Sequence, residues 1–238
     1  MSTTQTADAA PTPESPLLRA EQALQRLVLN VVDHGVGPVV GSAAYAEARL
    51  ADSAREPDDR STDAVALPGA REAAIALIIR ESVLAAGGTG FVTGFGGFVA
   101  LPFTFPANVT GNIVINARMV GAIAYLLGHD LEDAHVQASI LLTVAAADAG
   151  KVLAELGVDL GEGGTHEAIK KLPVPVVREI NRRAGIFLVA KYGGKRLAFQ
   201  AIRAIPVVGG VVGGGIDAGL TRYVGALATR TFAPTTPA

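Results

Sequence analysis

The chain of 238 residues contains no cysteine and no tryptophan. The absence of cysteine excludes disulfide bonds, thiol nucleophiles and cysteine-ligated metal sites. Charge is nearly balanced, with a net value of −2, so no overall field selects nucleic acid as a partner. The first basic residue is Arg19, so the basic region of a secretory signal is also missing. We therefore expect a cytoplasmic protein that does not bind nucleic acid.

Small and apolar residues dominate what is present. Half of the residues are hydrophobic, 28 are glycine, and the mean hydropathy is +0.38. Apolar positions recur at helical spacing along most of the chain, and no alternating strand pattern of useful length occurs. These patterns predict an all-α fold, a compact bundle of Ala/Gly-rich helices.

Caps and glycines suggest where helices begin and end. Ser15 and Pro16 suit the start of a helix that Gly35 would end, and Asp130 suits the N-cap of a later helix. A weaker helix is expected over Val39–Leu50, followed by a charged loop at 51–65. We divide the chain into a disordered tail at 1–15, N-terminal helices and the charged loop at 16–64, a helical domain at 65–232, and a disordered tail at 233–238.

Glycines recur in register at two places. Helical spacing would place Gly90, Gly94 and Gly97 on one stripe, and the C-terminal segment repeats the device in three small-xxx-small pairs, Gly209–Gly213, Gly210–Gly214 and Gly215–Gly219. Such register predicts glycine-zipper-like packing, in which backbones approach closely. The alternative is a flexible glycine-rich loop. Neither "GTGFVTGFGG" nor "YGGKR" matches a phosphate-binding loop, so we expect no nucleotide cofactor.

One long run, from Ser82 to Ala117, has no charged residue and no histidine. Two prolines and a polar row interrupt it, the row being Asn108, Asn112 and Asn116. The C-terminal apolar run is too short to span a bilayer before Asp217. The pattern therefore favours a compact bundle, or a hairpin that lies on or dips into the bilayer, over a simple two-span topology.

A basic stretch follows in the C-terminal third. Apolar residues interleave with its cations, which face one acid, Glu179. The cations chosen as lipid-surface candidates are Arg178, Arg182, Arg183, Lys191, Lys195 and Arg196. The composition suits anionic headgroups. The alternative is an ordinary solvated basic face.

Catalytic patterns are not found. The four histidines lack a metal-ligand spacing, and no Gly-x-Ser-x-Gly elbow is present. We expect neither a metal nor another cofactor, and the sequence favours a role other than catalysis. Asp217 would lie on the glycine stripe of the last helix, so we predict that it pairs with Arg118. The alternatives are bonds to backbone amides, Thr221 or Arg222.

Two blocks resemble the EcsC family. The first is "PVVREINRRAGIFLVAKYGGKRLAFQAIRAIPVVGGVVGGGIDAGLTRYVGALATRTF", with its Ile-Asn-Arg-Arg-x-Gly and Ile-Pro-Val-Val-Gly-Gly elements; the second is "GFVALPFTFPANVTGNIVINARMVGAIAYLLGHD". The resemblance covers about Arg71 to Phe232. The stretch "YGGKR" departs from the family's Gly-Glu-Lys-Gly turn.

The resemblance implies a bacterial protein linked to membrane processes, and the name-giving member is encoded beside an ABC transporter. It carries over no catalytic residue. We therefore expect an accessory protein at the inner face of the membrane that interacts with lipid, with an ABC transporter as a partner. The alternatives are a soluble bundle that binds a hydrophobic small molecule, through a stripe of Phe91, Phe95 and Phe98, and an enzyme of hydrolase-like class.

Overall fold

The computed structural model describes residues 16–54, 69–87, 107–145, 153–158, 164–193 and 206–234. They form the helices α1 (Pro16–Asp33), α2 (Ser42–Ala54), α3 (Ala70–Gly87), α4 (Ala107–Leu126), α5 (Ala134–Ala145), α6 (Gly164–Lys170), α7 (Val174–Gly193) and α8 (Pro206–Phe232). A short antiparallel hairpin of β1 (Gly35–Val36) and β2 (Val39–Val40) follows α1. The predicted all-α fold is confirmed.

The first helix follows its predicted limits, and the second does not. Helix α1 begins at Pro16, and Gly35 takes a φ of 82° directly after it, a conformation that favours glycine. A β-carbon at Gly35 would also collide with the carbonyl of Val39, so the hairpin requires this glycine. Because Val39 belongs to β2, helix α2 starts later than predicted, at Ser42. It also continues to Ala54, through the first residues of the predicted loop.

Helix α4 lies at the centre of the bundle. It contacts α1, α2, α3, α5 and α8, and most of its side chains from Ile113 to Leu126 are buried. The start of α2 packs closely on it, since a β-carbon at Gly121 would overlap the Ser42 side chain. The Ser42 hydroxyl also donates a hydrogen bond to the carbonyl of Arg118, at 3.2 Å. Residues from α1 to α8 join a single hydrophobic core around this helix.

The N-cap of α5 is Asp133, so the prediction of Asp130 is wrong. The carboxylate of Asp133 accepts hydrogen bonds from the backbone N–H groups of His135 at 2.7 Å and Val136 at 3.2 Å, the geometry of an N-cap. Asp130 instead accepts from the N–H of Glu132 at 3.0 Å, within the preceding turn. Both acids suit a cap, and their spacing alone does not show which one adjoins the first helical residue.

Helix α7 packs on α1 and α5. The contact with α1 is close, because a β-carbon at Gly185 would lie 3.3 Å from the Glu21 side chain and closer still to Gln25. The Gln25 amide donates a hydrogen bond to the carbonyl of Asn181. These contacts bury one side of α7 and leave the other side facing outward.

Helix α8 packs mainly on α3 and α4. Its close approach to α3 occurs at Gly225, where a β-carbon would lie 2.9 Å from the Ile79 side chain. At Gly215 and Gly219 no atom of another described helix lies within 4 Å of such a β-carbon, so the predicted close packing at this pair is wrong. A shared stripe puts glycines on one face, but it does not determine whether another helix covers that face.

Several predictions fall outside what the structure describes. Three of the predicted close-packing glycines, Gly90, Gly94 and Gly97, lie outside the described residues, as do the predicted N-terminal tail, the C-terminal tail from 235 onward, most of the charged loop and the Phe91–Phe98 stripe. Gly209 and Gly213 lie in α8, where the structure describes the helix but not its side-chain packing. Within the described ranges, no helix combines the length and apolar character needed to cross a membrane.

Candidate functional site

The outward side of α7 carries apolar and basic residues together. Arg178, Arg182 and Ile186 are exposed and follow one another at four-residue intervals, so they form one outward row. Ile186 is 40% exposed and its neighbour Phe187 is 37% exposed. Val174, 51% exposed, lies at the start of the helix. We call these five residues the α7 outward face. It contains two of the predicted lipid-surface cations, Arg178 and Arg182.

Carboxylates neutralise part of this charge. Glu179 accepts two hydrogen bonds from Arg182, at 2.8 and 2.6 Å, and one from Arg183 at 3.0 Å. These bonds, with Arg182 contributing most, lower the pKa of Glu179 to about 2. Arg183 also pairs with Glu155 at 2.6 Å. Glu179 is the one acid within the basic stretch of the sequence, and Glu155, from the short helical turn at 153–155, brings a second carboxylate to α7.

The described part of the basic stretch thus has three arginines against two carboxylates. Arg178 is exposed, and Arg182 and Arg183 share Glu179. Lys191 lies in α7, but its side chain is not described, and Lys195 and Arg196 lie outside the described residues. The net excess on this part of α7 is one positive charge.

Arg118 does not pair with Asp217, so that prediction is wrong. The guanidinium carbon of Arg118 lies 4.1 Å from the centre of the Tyr45 ring, a cation–π geometry. The Tyr45 hydroxyl donates to Glu81 at 2.7 Å, and Glu81 also accepts from Arg49 Nε at 2.8 Å. Burial lowers the pKa of Arg118, while Tyr45 and Glu81 oppose that shift. This cluster joins α2, α3 and α4 and has a structural role.

Asp217 instead meets a residue of the asparagine row. Its carboxylate accepts a hydrogen bond from the Asn112 amide at 3.0 Å. Asn112 precedes Arg118 by six residues, which on a helix rotates the side chain by about 240° and shifts it by about 9 Å. Arg118 therefore points to α2 while Asn112 points to α8. The two sequence blocks that resemble the EcsC family are therefore in contact, but through the Asn112 amide and not through Arg118.

A second buried cluster holds the end of α8. His129 Nε2 donates to the carbonyl of Phe232 at 2.9 Å, and the His129 and His166 rings meet edge to face at 4.6 Å. The Phe232 ring lies 5.2 Å from His129 and 5.5 Å from His166. Burial, with a smaller contribution from the charge of His129, lowers the pKa of His166 to about 4. His166 is therefore neutral at physiological pH.

The contact between Ser139 and His166 is not arranged for nucleophilic catalysis. The Ser139 hydroxyl donates to the carbonyl of His135 at 2.9 Å. A hydroxyl has one hydrogen, so while this bond is kept Ser139 Oγ can only accept from His166 Nδ1, 3.0 Å away. A catalytic histidine must accept the serine proton instead. Both side chains are also buried, which leaves no room for a substrate at Oγ.

A cavity of about 400 Å³ lies nearby, where the turn between α4 and α5 meets the end of α1. Its lining includes the acids Asp33, Asp130 and Glu132, the imidazoles His34 and His129, and Tyr125. The acids are not gathered into a ligand set: nowhere in the described ranges do three His, Cys, Asp or Glu residues converge on a metal position.

Sequence reasoning missed the glycines that do pack closely, Gly121, Gly185 and Gly225. Each is an isolated glycine inside a helix. An isolated glycine at such a position is the sequence signal that could have indicated a close helix contact. Sequence reasoning also missed the Tyr45–Arg118 stacking, which no local pattern indicates.

The model of the EcsC protein family matches residues 61–233. Searches of curated proteins and of solved structures find no match. The match covers most of the chain and includes both blocks on which the resemblance rests. It also extends beyond them to include all of α3, α5 and α6. The chain therefore belongs to the EcsC protein family.

Proposed function

We propose that this EcsC family protein is a membrane-associated accessory protein that attaches peripherally to the inner face of the membrane through the α7 outward face. The observation that carries the proposal is the exposure of Ile186 and Phe187 beside Arg178 and Arg182 on one side of a helix. An interfacial helix combines the same two features, apolar side chains that enter the headgroup region and cations that meet anionic lipid.

Charge alone gives weak binding here. A cation near an anionic membrane contributes about 1 kcal/mol, and the described part of α7 has an excess of one. Burial of Ile186 and Phe187 adds to this, because an apolar side chain that leaves water contributes up to about 1.5–3 kcal/mol. Both are already about 60% buried, so the gain from each is a fraction of that. Reversible attachment is the expected result.

The proposed partner is the anionic membrane surface, and an ABC transporter is proposed as a protein partner through the family resemblance. The alternative of a binder of hydrophobic small molecules has its own supporting observation, an apolar groove of about 430 Å³ between α3 and α8 whose lining includes Ile79 and Val83. The enzyme alternative gains nothing from the buried Ser139–His166 contact.

The test is co-sedimentation of the full chain with vesicles of phosphatidylglycerol and phosphatidylcholine, at low and high salt. Arg178→Gln with Arg182→Gln should lower the partition coefficient by roughly tenfold or more, since each lost cation removes about 1 kcal/mol. Ile186→Ser with Phe187→Ser should also lower it, and this loss should persist at high salt.

The matched control is Arg71→Gln with Arg230→Gln, which removes the same charge from exposed positions on α3 and α8. This variant should keep nearly all of the binding of the parent. Equal losses from both pairs of arginines would show that net charge, not the α7 outward face, governs attachment. A parent chain that stays in the supernatant at low salt would refute the proposal.

A further inference from the structure

An apolar groove lies between α3 and α8, away from α7. Its volume is about 430 Å³, and it is lined by Ala76, Ile79, Arg80, Val83, Leu84, Arg222 and Ala226. The residues of α3 recur at three- and four-residue intervals, so they form a continuous stripe along one side of the helix. The lining residues of α3 extend over about two turns, from Ala76 to Leu84, and α8 contributes about one turn, from Arg222 to Ala226.

The packing of the two helices explains the groove. Gly225 is buried against Ile79, so α8 approaches α3 closely at that point. Ala76 on α3 and Ala226 on α8 line the groove beside the Gly225–Ile79 contact, and their small side chains leave space between the two helices. Leu84, 64% exposed, extends the apolar stripe beyond it. If a ligand covers this side chain, apolar surface is removed from water, and that burial favours binding.

Two cations accompany the apolar lining. Arg80 and Arg222 are both exposed, and neither forms an ion pair or hydrogen bond with any residue in the described ranges. Arg49 and Arg182, by contrast, are held by carboxylates. Two free guanidinium groups beside an apolar groove complement a molecule with an anionic head and an apolar body, because a guanidinium binds a carboxylate through paired hydrogen bonds.

We propose that the α3–α8 groove binds one single-chain anionic amphiphile, a long-chain carboxylate, with its chain along Ile79, Val83 and Leu84 and its carboxylate at Arg80 and Arg222. The volume is near the lower end of the range of about 300–1,000 Å³ for ligand pockets, which suits one chain better than a two-chain phospholipid. The site uses other helices than α7 and does not depend on membrane attachment.

The test is displacement of a fluorescent single-chain acid, cis-parinaric acid, from the full chain at pH 8 and below micellar concentrations. Oleate should displace it at one site per chain, and methyl oleate should compete roughly tenfold less well because it cannot form the charge-assisted hydrogen bonds. Arg80→Gln with Arg222→Gln should weaken the binding of oleate to about the level of methyl oleate and leave that of methyl oleate unchanged.

A second variant tests the apolar part of the groove. Ala226→Phe adds a ring at an exposed lining position, so it should reduce binding of both compounds without unfolding the chain. The control is Arg71→Gln with Arg230→Gln, which should bind like the parent. Equal affinity for oleate and its ester, an unchanged affinity in the Arg80/Arg222 variant, or displacement by phosphatidylglycerol alone would each overturn the proposal.

Discussion

The stacking of Arg118 on Tyr45 makes a quantitative prediction. Replacing Tyr45 with Leu removes both the ring under the guanidinium and the hydroxyl that donates to Glu81. A cation–π contact is worth about 0.5 kcal/mol when exposed and about 2 kcal/mol when desolvated. Tyr45 is 5% exposed, so we expect the upper half of this range. A hydrogen bond to a charged acceptor adds about 1.5–3 kcal/mol to the cost of the substitution.

A double-mutant cycle separates these contributions. Arg118→Met and Tyr45→Leu should show a coupling free energy of about 1–2 kcal/mol, because the lost bond to Glu81 is common to both Tyr45 variants and cancels. The assay is urea unfolding of the parent, both single variants and the double variant, followed by far-ultraviolet circular dichroism. Tyr45→Phe should retain the coupling to Arg118, since the ring remains.

The same assay distinguishes Tyr45 from the partner that the sequence suggested. Arg118→Met and Asp217→Asn should be additive within about 0.5 kcal/mol, as expected for side chains that share no contact. Coupling of Arg118 to Asp217, together with additivity between Arg118 and Tyr45, would refute the assignment.

Three further predictions concern stability. The pKa of His166 is about 4 in the folded chain and 6.5 in the unfolded chain, so the unfolded state takes up the proton first as pH falls below 6.5. The free energy of unfolding should therefore decrease between pH 6.5 and 4, by up to about 3 kcal/mol, and His166→Leu should show a smaller decrease in urea titrations at several pH values. Gly215→Ala should increase the free energy of unfolding by up to about 1 kcal/mol, and so raise the melting temperature, because the added methyl group meets open space. Gly225→Ala should lower the melting temperature, because its methyl group would collide with Ile79. Asp133→Ala should cost about 0.5–2 kcal/mol in urea unfolding, while a cost at Asp130→Ala instead would contradict the assigned cap.

The helices could be predicted from the sequence because their limits depend on neighbouring residues. The start of α1 at Pro16 follows from the Ser15–Pro16 signal, and its end follows from Gly35, two residues after the helix. Even the failure at α2 is local, since two residues expected in the helix pair with Gly35–Val36 instead. The helical spacing of apolar residues also predicts which side chains lie on the same face of each helix.

The candidate sites depend on contacts between distant parts of the chain, and periodicity does not provide these. Glu155 neutralises Arg183, which lies 28 positions later, and the pairing of Asn112 with Asp217 spans 105 positions. That Arg80 and Arg222 have no carboxylate partner among the described residues also becomes evident only when their surroundings are known. The sequence therefore identified α7 as basic but could not give its net charge.

Because the chain has no tryptophan, a single introduced tryptophan reports directly on whether the α7 outward face meets the membrane. Phe187→Trp places a single tryptophan on the α7 outward face, and Val40→Trp places one in the hairpin, at a position that is 50% exposed. If the α7 outward face meets the membrane, phosphatidylglycerol vesicles should shift the Phe187→Trp emission to shorter wavelength and protect it from acrylamide, while the emission of Val40→Trp stays unchanged. An unshifted Phe187→Trp spectrum in the presence of excess anionic vesicles would contradict membrane attachment through this face.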